Sequence, residues 1–453
     1  MKNKLLLSLT LGLAGASSLM ASTVDIYLTG STAFRGNCYT ACQRLFVGGA
    51  PTIYYGDAAH GGAGSGWSST TASWVMTGTP ITGLTNLQGN TLNIHGLFTG
   101  SIQGLQTVEQ KTKLIFPAPS GTVSGLCNAY VTNTPTIGFS DASGAAAPFP
   151  ATGNYLEENV CVQPFVCVKA NSGGVLTNIN NVSFEQLVYG IPNGRIPLSA
   201  WTYKPTDTNT FIYLFQRTKD SGTRRCETAD VGYQYNDTVG IYIYDTTANN
   251  FYLPSVLANN SVGLAPNGVI GTAGTGLGNA NMNWGYGYIG GGDIKSALGN
   301  ANAANTSISY LSISDGKGIV SGNNWSQVVS YNGVWPTLAG AGIHGNTGTN
   351  DYSPVTQGYY PLWGLEVLVH PINPGLIADQ NVTASQLGDQ TQPGTFMGLF
   401  NAQTAINGGS PLTGSIENEI ELTKPAGATA IRLSDMRSNR QTGSAIGGEI
   451  YPF

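Results

Sequence analysis

Residues 211–223 read FIYLFQRTKDSGT, and this stretch decides the fold prediction. Its first five residues are apolar or aromatic, which is typical of a buried strand. The residues that follow form a turn, and the Ser-Gly-Thr at its end predicts a helix that begins near Asp220. A strand followed by a turn and a helix is the repeating unit of α/β folds.

The same order of strand, turn and helix start occurs three times earlier in the chain. Residues 28–32 (LTGST), 98–101 (FTGS) and 138–141 (GFSD) each come at the end of an apolar segment. Ser183 and Gln186 have the spacing of a capping box, which predicts a further helix start. Strands are predicted at 24–28, 91–98, 136–139, 160–168 and 211–215. The pattern predicts an α/β fold with at least partly parallel sheets.

The composition limits the possible functions. The chain has 453 residues with 62 glycines, and its net charge is −5. Charged residues make up 9% of the sequence, well below the roughly 25% of an average protein. No run of lysine or arginine offers a surface for nucleic acid, so we expect no such partner. The apolar share of 41% is enough for hydrophobic cores, which excludes a disordered chain.

The N-terminus has the pattern of an export signal. Lys2 and Lys4 precede the apolar run 5–13, and small residues allow cleavage after Ala21. We expect residues 1–21 to be a cleaved signal peptide and the mature chain to be periplasmic or secreted. An uncleaved membrane anchor is the alternative. No later stretch has the length and apolar character of a membrane span.

Six cysteines remain after this cleavage. An oxidising compartment allows 15 ways of pairing them, and the sequence does not choose between these. The four histidines are scattered far from the cysteines, so we expect structural or disulfide cysteines, with no metal site and no cofactor.

The four turns share the chemistry of anion binding. Backbone N–H groups are unpaired at the start of a helix, where the helix dipole also favours negative charge. Serine and threonine hydroxyls add further donors, and ligands of open α/β sheets bind at the carboxyl ends of strands. Each turn alone could merely cap a helix, because serine and threonine are common N-caps. Together they predict a cradle for an anion.

The order of these turns resembles the phosphate-binding protein family, the exported receptors that serve phosphate ABC transporters. Residues 217–223 (RTKDSGT) are similar to the family's Arg-x-x-x-Ser-Gly-Thr signature. Residues 137–142 (IGFSDA) match its Gly-x-Ser-Asp-Ala motif, and residues 28–33 and 98–104 are similar to its first two anion loops. The resemblance covers most of the chain outside its insertions.

The resemblance implies a two-lobed periplasmic-binding-protein fold of type II, with hinged lobes and Gly/Asn-rich insertions. Lobe 1 is expected at residues 22–160, with an insertion of loops and irregular strands at about 47–90. Lobe 2 is expected at 161–348. Residues 349–453 would return to lobe 1 and add a C-terminal extension, for which we have no functional expectation.

The resemblance also implies the contacts with the ligand. Asp141 would accept the proton of a monohydrogen phosphate, which a fully deprotonated oxyanion such as sulfate does not have. Arg217 would bind two phosphate oxygens with its planar guanidinium. The other expected ligand residues would donate from hydroxyl or backbone N–H groups: Ser31, Thr32, Ser101, Ser221, Gly222 and Thr223.

Two departures from the family pattern leave alternatives open. The insertion moves the second loop along the chain, so residues 64–66 (GSG) compete with Ser101 for its role. Arg35, Lys219 and Arg224 add cations beside the loops. They are either solvated or widen the site toward an organophosphate or a different oxyanion.

The leading expectation is a monomeric receptor, not an enzyme, that captures inorganic phosphate or a related oxyanion and delivers it to the membrane permease of an ABC transporter. A hydrolase that uses the same cradle is disfavoured, because the sequence has no Gly-x-Ser-x-Gly elbow and the four loops contain no histidine. The other alternative is a surface or matrix protein with a structural or adhesive role, since fold does not fix function. Its low charge and abundant Gly, Asn, Thr and Ser suit that alternative.

Overall fold

A computed structural model describes most of the chain. The described residues are 22–62, 66–68, 71–121, 124–144, 155–170, 174–218, 221–233, 237, 239–245, 250–252, 287–288, 290–299, 306–316, 327–337, 351–372, 381–403, 411–423, 429–440 and 450–452. The expected signal peptide, residues 1–21, lies outside them.

Strands and helices alternate along the described residues. The strands are β1 (Thr23–Gly30), β2 (Thr52–Tyr55), β3 (Ser73–Gly78), β4 (Thr91–Leu97), β5 (Leu114–Pro117), β6 (Gly125–Leu126), β7 (Tyr130–Asn133), β8 (Ile137–Ser140), β9 (Tyr155–Lys169), β10 (Asn181–Val182), β11 (Arg195–Pro197), β12 (Phe211–Phe215), β13 (Ile243–Asp245), β14 (Asn250–Tyr252), β15 (Ser307–Ser312), β16 (Val328–Tyr331), β17 (Trp363–Pro371), β18 (Ser438–Arg440) and β19 (Ile450–Pro452). The helices are α1 (Arg35–Arg44), α2 (Ser101–Glu109), α3 (Phe184–Asn193), α4 (Ser199–Thr202), α5 (Gly222–Asp230), α6 (Gly291–Gly299), α7 (Ile313–Gly316), α8 (Ser353–Thr356), α9 (Ala384–Leu387), α10 (Phe396–Phe400) and α11 (Ile416–Thr423).

Thirteen of these strands form one mixed sheet. Its order is β11-β12-β15-β9-β17-β8-β1-β4-β3-β2-β6, and β16 joins it at β9 and carries β10. The pairs β8–β1, β1–β4, β12–β15, β2–β6 and β10–β16 are parallel, and the other pairs are antiparallel. The prediction of an α/β fold with partly parallel sheets is confirmed.

Two long strands cross the middle of the sheet. β17 pairs with β9 in antiparallel register, from Trp363 opposite Pro164 to Pro371 opposite Tyr155. The register shifts between Glu366 and Val367, which is the mark of a β-bulge. Residues 160–169 of β9 are all buried, as the apolar run there predicts for a strand covered on both faces.

The hydrophobic core has two main clusters. One packs α1, α10 and α11 against β1, β3 and β4. The other packs α3, α5 and α6 against β12, β15 and the second half of β9. The neighbouring residues Cys161 and Val162 of β9 point to opposite faces and belong to different clusters. The division into hinged lobes at residues 160/161 and 348/349 stays a prediction.

The segment predicted as an insertion contains regular structure. β2 and β3 pair with each other, and β3 pairs with β4 over its whole length, so both are strands of the main sheet. The Gly, Ser and Thr content of this segment favoured loops and irregular strands. Ile53, Trp74 and Met76 are nevertheless buried in the core, and their burial fixes the register of the two strands.

Part of the expected C-terminal extension also joins the core. Ile431 exchanges backbone hydrogen bonds with Val162 of β9, with N···O distances of 2.8 and 2.9 Å. Ile431 and Met436 both pack into the second cluster. The extension is therefore tied to the centre of the sheet through β9.

The six cysteines are all described, all buried, and not joined by disulfides. Cys38 and Cys42 lie one turn apart on α1, with 4.0 Å between their Sγ atoms. Burial raises the pKa of the Cys38, Cys161 and Cys167 thiols well above its usual range. These thiols are part of the apolar packing.

Within the described ranges, no helix has both the length and the apolar character needed to cross a membrane.

Candidate functional site

Asp141 is the centre of the candidate site. It follows β8 directly, and its side chain is 1% exposed. Ser101 Oγ donates a hydrogen bond to Asp141 Oδ1 at 2.8 Å, and Thr223 Oγ1 donates to Oδ2 at 3.0 Å. Ser31 Oγ also donates to Oδ1. Hydroxyl groups from three separate loops therefore meet at one buried carboxylate.

The parallel strands explain why the first three turns meet. β1 runs parallel to both β4 and β8, so the carboxyl ends of all three lie at one edge of the sheet. The chain leaves β1 at Gly30 with a φ of +121°. A Cβ at this position would lie 2.0 Å from the Phe139 carbonyl oxygen, so only glycine fits. Ser31 N–H donates to the same oxygen at 2.9 Å, which holds its side chain beside β8.

Helix α5 brings the fourth turn to this edge. Ser221 is its N-cap, and its hydroxyl accepts a hydrogen bond from Arg224 N–H at 3.2 Å. A Cβ on Gly222 would lie 2.6 Å from Ser101 Oγ and 3.0 Å from Asp141 Cβ, so no larger residue fits there. The starts of α2 and α5 therefore touch. The dipoles of both helices favour negative charge at this point.

Arg217 supplies a buried cation next to these turns. Its side chain is 4% exposed, and Nη2 donates to Thr32 Oγ1 at 3.4 Å. Burial lowers the pKa of its guanidinium, and the charges of Asp315 and Asp141 oppose that shift. Arg224 Nη1 donates to the Arg217 carbonyl oxygen at 3.1 Å, which holds the backbone in place after β12.

Two further carboxylates lie within the field of Arg217. Asp293 is at the start of α6, where its Oδ2 accepts a hydrogen bond from Gly290 N–H at 2.7 Å. A Cβ on Gly291 would lie 2.0 Å from Asp315 Oδ2, so Asp315 also lies against the start of α6. Burial raises the pKa of Asp293 to about 6, although the Gly290 hydrogen bond and the charge of Arg217 act in the other direction.

Arg35 belongs to the same charged group. Burial lowers the pKa of its guanidinium, and the charges of Asp315 and Asp293 oppose that shift. Of the three extra cations expected near the loops, Arg224 is buried beside the site and Arg35 is partly buried next to the same acidic residues. Lys219 lies outside the described residues.

The eight residues predicted for the site lie together at this edge of the sheet. Ser31, Ser101 and Thr223 contact Asp141, and Gly222 lies against Ser101. The remaining three are the N-cap Ser221 and the hydrogen-bonded pair Thr32 and Arg217. Of the competing segment 64–66, the structure describes only Gly66. That these residues contact a ligand stays a prediction.

Glu366 is a buried acidic residue that the sequence reasoning missed. It lies on β17 with no exposed surface, and neither carboxyl oxygen receives a hydrogen bond within the described part of the chain. Burial raises its pKa well above the usual range, and the nearby charge of Asp141 raises it further. One signal could have identified it, because it is the single charge in the otherwise apolar strand WGLEVLV, residues 363–369.

The donors gathered here are of the kind that holds a small oxyanion. One region contains the serine and threonine hydroxyls, the starts of two helices and a buried guanidinium. Across the described residues, no group of three or more His, Cys, Asp or Glu side chains could hold a metal ion.

Comparisons with known proteins returned distant structural likenesses. No protein-family model matches the chain, and no curated protein matches its sequence. Among solved structures, it is similar to a putative phosphate ABC transporter substrate-binding protein with bound phosphate from Clostridium perfringens. The identity is 12%, the match covers 78% of this chain and 87% of the other, and the TM-score is 0.39.

Two further structures give similar values. An ABC-type phosphate transport receptor from Vibrio cholerae is 11% identical, with 77% of this chain and 87% of the other covered and a TM-score of 0.36. The periplasmic phosphate-binding protein PfluDING, bound with phosphate, is 12% identical, with 90% of each chain covered and a TM-score of 0.39. TM-scores this low carry no argument about function, so the proposal below rests on the chain's own residues.

Proposed function

We propose that this chain is an exported solute-binding protein that captures inorganic phosphate, or a related oxyanion, in a cleft between two lobes. One observation carries the proposal. The buried carboxylate of Asp141 accepts hydrogen bonds from three hydroxyl groups, next to the buried guanidinium of Arg217.

The hydroxyl donors explain how the site would take a ligand. A hydroxyl rotates about its C–O bond and both donates and accepts. Ser101 and Thr223 would turn from Asp141 to the phosphate oxygens, which frees Asp141 to accept the proton of a monohydrogen phosphate. Sulfate has no proton at neutral pH, so its oxygens would face the carboxylate without a hydrogen bond. That unpaired, repulsive contact would exclude it.

Arg217 would supply most of the attraction for the anion. A buried guanidinium binds two oxygens of a tetrahedral anion at once, and the interaction is strong because water is excluded. The starts of α2 and α5 would add backbone N–H donors from both sides of the ligand. The anion would therefore be bound by groups on both sides of the cleft, which stabilises the closed state.

The proposal includes a route for the protein and its ligand. Residues 1–21 would direct export, and β9 and β17 would connect the two lobes across the hinge. The loaded receptor would act as a monomer and deliver phosphate to the membrane permease of an ABC transporter.

The arrangement of possible nucleophiles and bases supports a receptor over an enzyme. The cradle hydroxyls of Ser31, Ser101 and Thr223 donate to a carboxylate and not to an imidazole. The three described histidines, at positions 60, 95 and 370, each lie next to a different acidic residue: Asp57, Asp25 and Glu158. A serine nucleophile needs an adjacent base to activate it.

Calorimetric titration of the mature chain, from Ser22, tests the proposal. The chain is first unfolded and refolded to remove any bound ligand, and is then titrated with phosphate and, separately, with sulfate. We expect one phosphate to bind per chain and sulfate to give no heat. If neither anion gives a heat of binding, and circular dichroism confirms that the chain is folded, the result would contradict the proposal and favour a structural role.

A further inference from the structure

Glu366 lies behind the cradle in a place that the proposed phosphate contacts do not use. Its side chain has no exposed surface, and neither of its carboxyl oxygens receives a hydrogen bond from a described residue. A buried carboxylate without donors is among the most costly groups that a folded chain can contain. Some interaction must therefore offset the burial of this carboxyl group.

The geometry of β17 directs this side chain toward Asp141. Val367 pairs with Ser140, the residue just before Asp141, so Glu366 comes next to Asp141 as the antiparallel register continues. Gly364 lies two residues before Glu366 on the same strand. A Cβ on Gly364 would lie 2.9 Å from the Asp141 carbonyl oxygen, so β17 packs directly against Asp141.

The groups around Glu366 come from four elements. They are Asp141 after β8, Ser31 after β1, Cys38 on α1 and Cys161 on β9. None of these four is a cation. Ser31 also acts on Glu366 and opposes the rise of its pKa, but its one hydroxyl proton is donated to Asp141. Glu417 of α11 also lies in the field of Cys161, and it adds another carboxyl group.

Two carboxylates this close in a buried site cannot both be ionised, because like charges repel strongly where water is excluded. Burial raises the pKa of Glu366 well above its usual range, and its contact with Asp141 raises it further. A protonated Glu366 has an O–H that can donate. The nearest acceptor of the right chemistry is the Asp141 carboxylate.

We propose that Glu366 keeps its proton at neutral pH and donates it in a hydrogen bond to Asp141, so that the carboxyl pair carries one negative charge in the phosphate site. This inference rests on the proposed function for its effect on phosphate, but the protonated pair itself does not. Glu366 is a positioning residue, because it acts on the ligand only through Asp141.

The shared proton has two consequences for binding. It fixes the orientation of Asp141, so that a lone pair is directed at the proton of the ligand. It also keeps the charge of the pair at −1, which a dianionic ligand can tolerate beside Arg217. As the pH rises and Glu366 loses its proton, the pair gains a second negative charge, and phosphate affinity falls.

Infrared difference spectroscopy on the mature chain tests the protonation directly. We expect the wild type at pH 7 to have the C=O band of a protonated carboxylic acid, and E366Q to lack that band. E227Q is the matched control. Glu227 is also fully buried, its pKa is raised to about 8, and it pairs with Gln216. E227Q should leave the Glu366 band in place.

Phosphate titrations of two variants test the effect on the site. E366Q keeps a donor to Asp141, so we expect its phosphate Kd at pH 7 to stay within about threefold of wild type. Its affinity should fall less at alkaline pH than the affinity of wild type and of E227Q, because both of these keep Glu366. E366L has no donor, and we expect its Kd to rise at least about tenfold, the usual effect of losing a hydrogen bond to a charged group.

The outcomes separate this inference from the proposed function. The inference is overturned if the wild-type infrared spectrum has no carboxylic-acid band that disappears in E366Q, even if phosphate binds tightly. Phosphate affinity in E366L equal to wild type would also overturn it. If E366L does not fold, the spectrum and the pH profile of E366Q decide alone. A wild type that has the band but binds no phosphate would keep the protonated pair and reject the proposed function.

Discussion

Asp141 and Glu158 are both buried carboxylates, 1% and 3% exposed, but the groups that donate to them differ. Glu158 accepts hydrogen bonds from Gln390 N–H at 3.1 Å and from Asn401 Nδ2 at 3.0 Å, and His370 Nε2 lies 3.4 Å away. Asp141 accepts from hydroxyl groups, those of two serines and a threonine.

The difference separates a carboxylate that is fixed by its donors from one whose donors could turn to a ligand. A backbone N–H and a side-chain amide are held in one orientation, so the donors of Glu158 cannot leave it without a change in the fold. A hydroxyl turns about a single bond and can pass its proton to another acceptor. A buried carboxylate that is held by hydroxyls is therefore stable without ligand and still open to exchange its partners with one.

The largest expected effect comes from the cation of the site. Replacing Arg217 by Ala should cost roughly 2–5 kcal/mol of phosphate affinity, because the anion loses a buried charged partner. Titration calorimetry of R217A measures this loss. The matched control is R432A, since Arg432 pairs with Asp435 at 2.7 Å elsewhere in the chain. Equal affinity in R217A and wild type would show that Arg217 is outside the site.

The two carboxylates can be compared directly by the same isosteric change. D141N should narrow the difference between phosphate and sulfate affinity more than it weakens phosphate, because an amide no longer repels a fully ionised anion. E158Q should instead lower the free energy of unfolding by about 1–3 kcal/mol, because the N–H donors of Gln390 and Asn401 lose a charged acceptor. Its anion selectivity should not change.

Urea unfolding and anion titration of both variants check this pair of predictions. The comparison fails if E158Q alters selectivity as much as D141N does, since both carboxylates would then act on the ligand.

A smaller effect is expected at Asp293. Because burial raises its pKa from 3.8 to about 6, the folded chain binds more protons than the unfolded chain between these values. The stability that this protonation contributes is complete below about pH 4 and is lost as the pH rises through about 6. D293N cannot ionise, so it should be about 1 kcal/mol more stable than wild type at pH 7, and the difference should be clearly smaller at pH 4.5. Urea midpoints at the two pH values measure this, and a constant difference would contradict it.

The smallest expected effect compares two helix caps. Ser221 caps α5 at the site, and Ser183 caps α3 in a capping box elsewhere. Replacing either by alanine should cost about 1 kcal/mol of stability, because one backbone N–H loses its acceptor. Only S221A should also weaken phosphate binding. A loss of affinity in S183A of the same size would mean that the effect comes from stability alone.

Much of the local structure could be predicted from the sequence. The strand before residues 217–223, the helix that follows it and the capping box at Ser183 are all confirmed. These features depend on residues that are close together in the chain, and their turn and cap chemistry is specific. The convergence of the first three turns follows from one further rule, that parallel strands end at one edge. The fourth turn follows β12, which lies in another part of the sheet, so this rule does not predict its place.

The rest depends on contacts between distant segments. β2 and β3 are regular because Ile53 and Trp74 pack against the core, and the glycine-rich residues around them do not reveal that burial. Glu366 and Asp141 come from strands that are far apart in the sequence, and only the pairing of β17 with β8 brings them together. The alternation of apolar and polar residues along a strand indicates which face is buried. It does not indicate which carboxyl group of a neighbouring strand lies opposite.

The burial of the six cysteines makes the folded chain suitable for site-specific labelling. Maleimide dyes react with thiolates, and burial shields all six side chains from the reagent. Burial also raises the pKa of the Cys38, Cys161 and Cys167 thiols, which disfavours their ionisation. A single new cysteine in place of Tyr189, which is 49% exposed on α3, would therefore take up one dye per molecule without removal of the native thiols. The native thiols would react only after denaturant exposes them, so the same reagent would report unfolding.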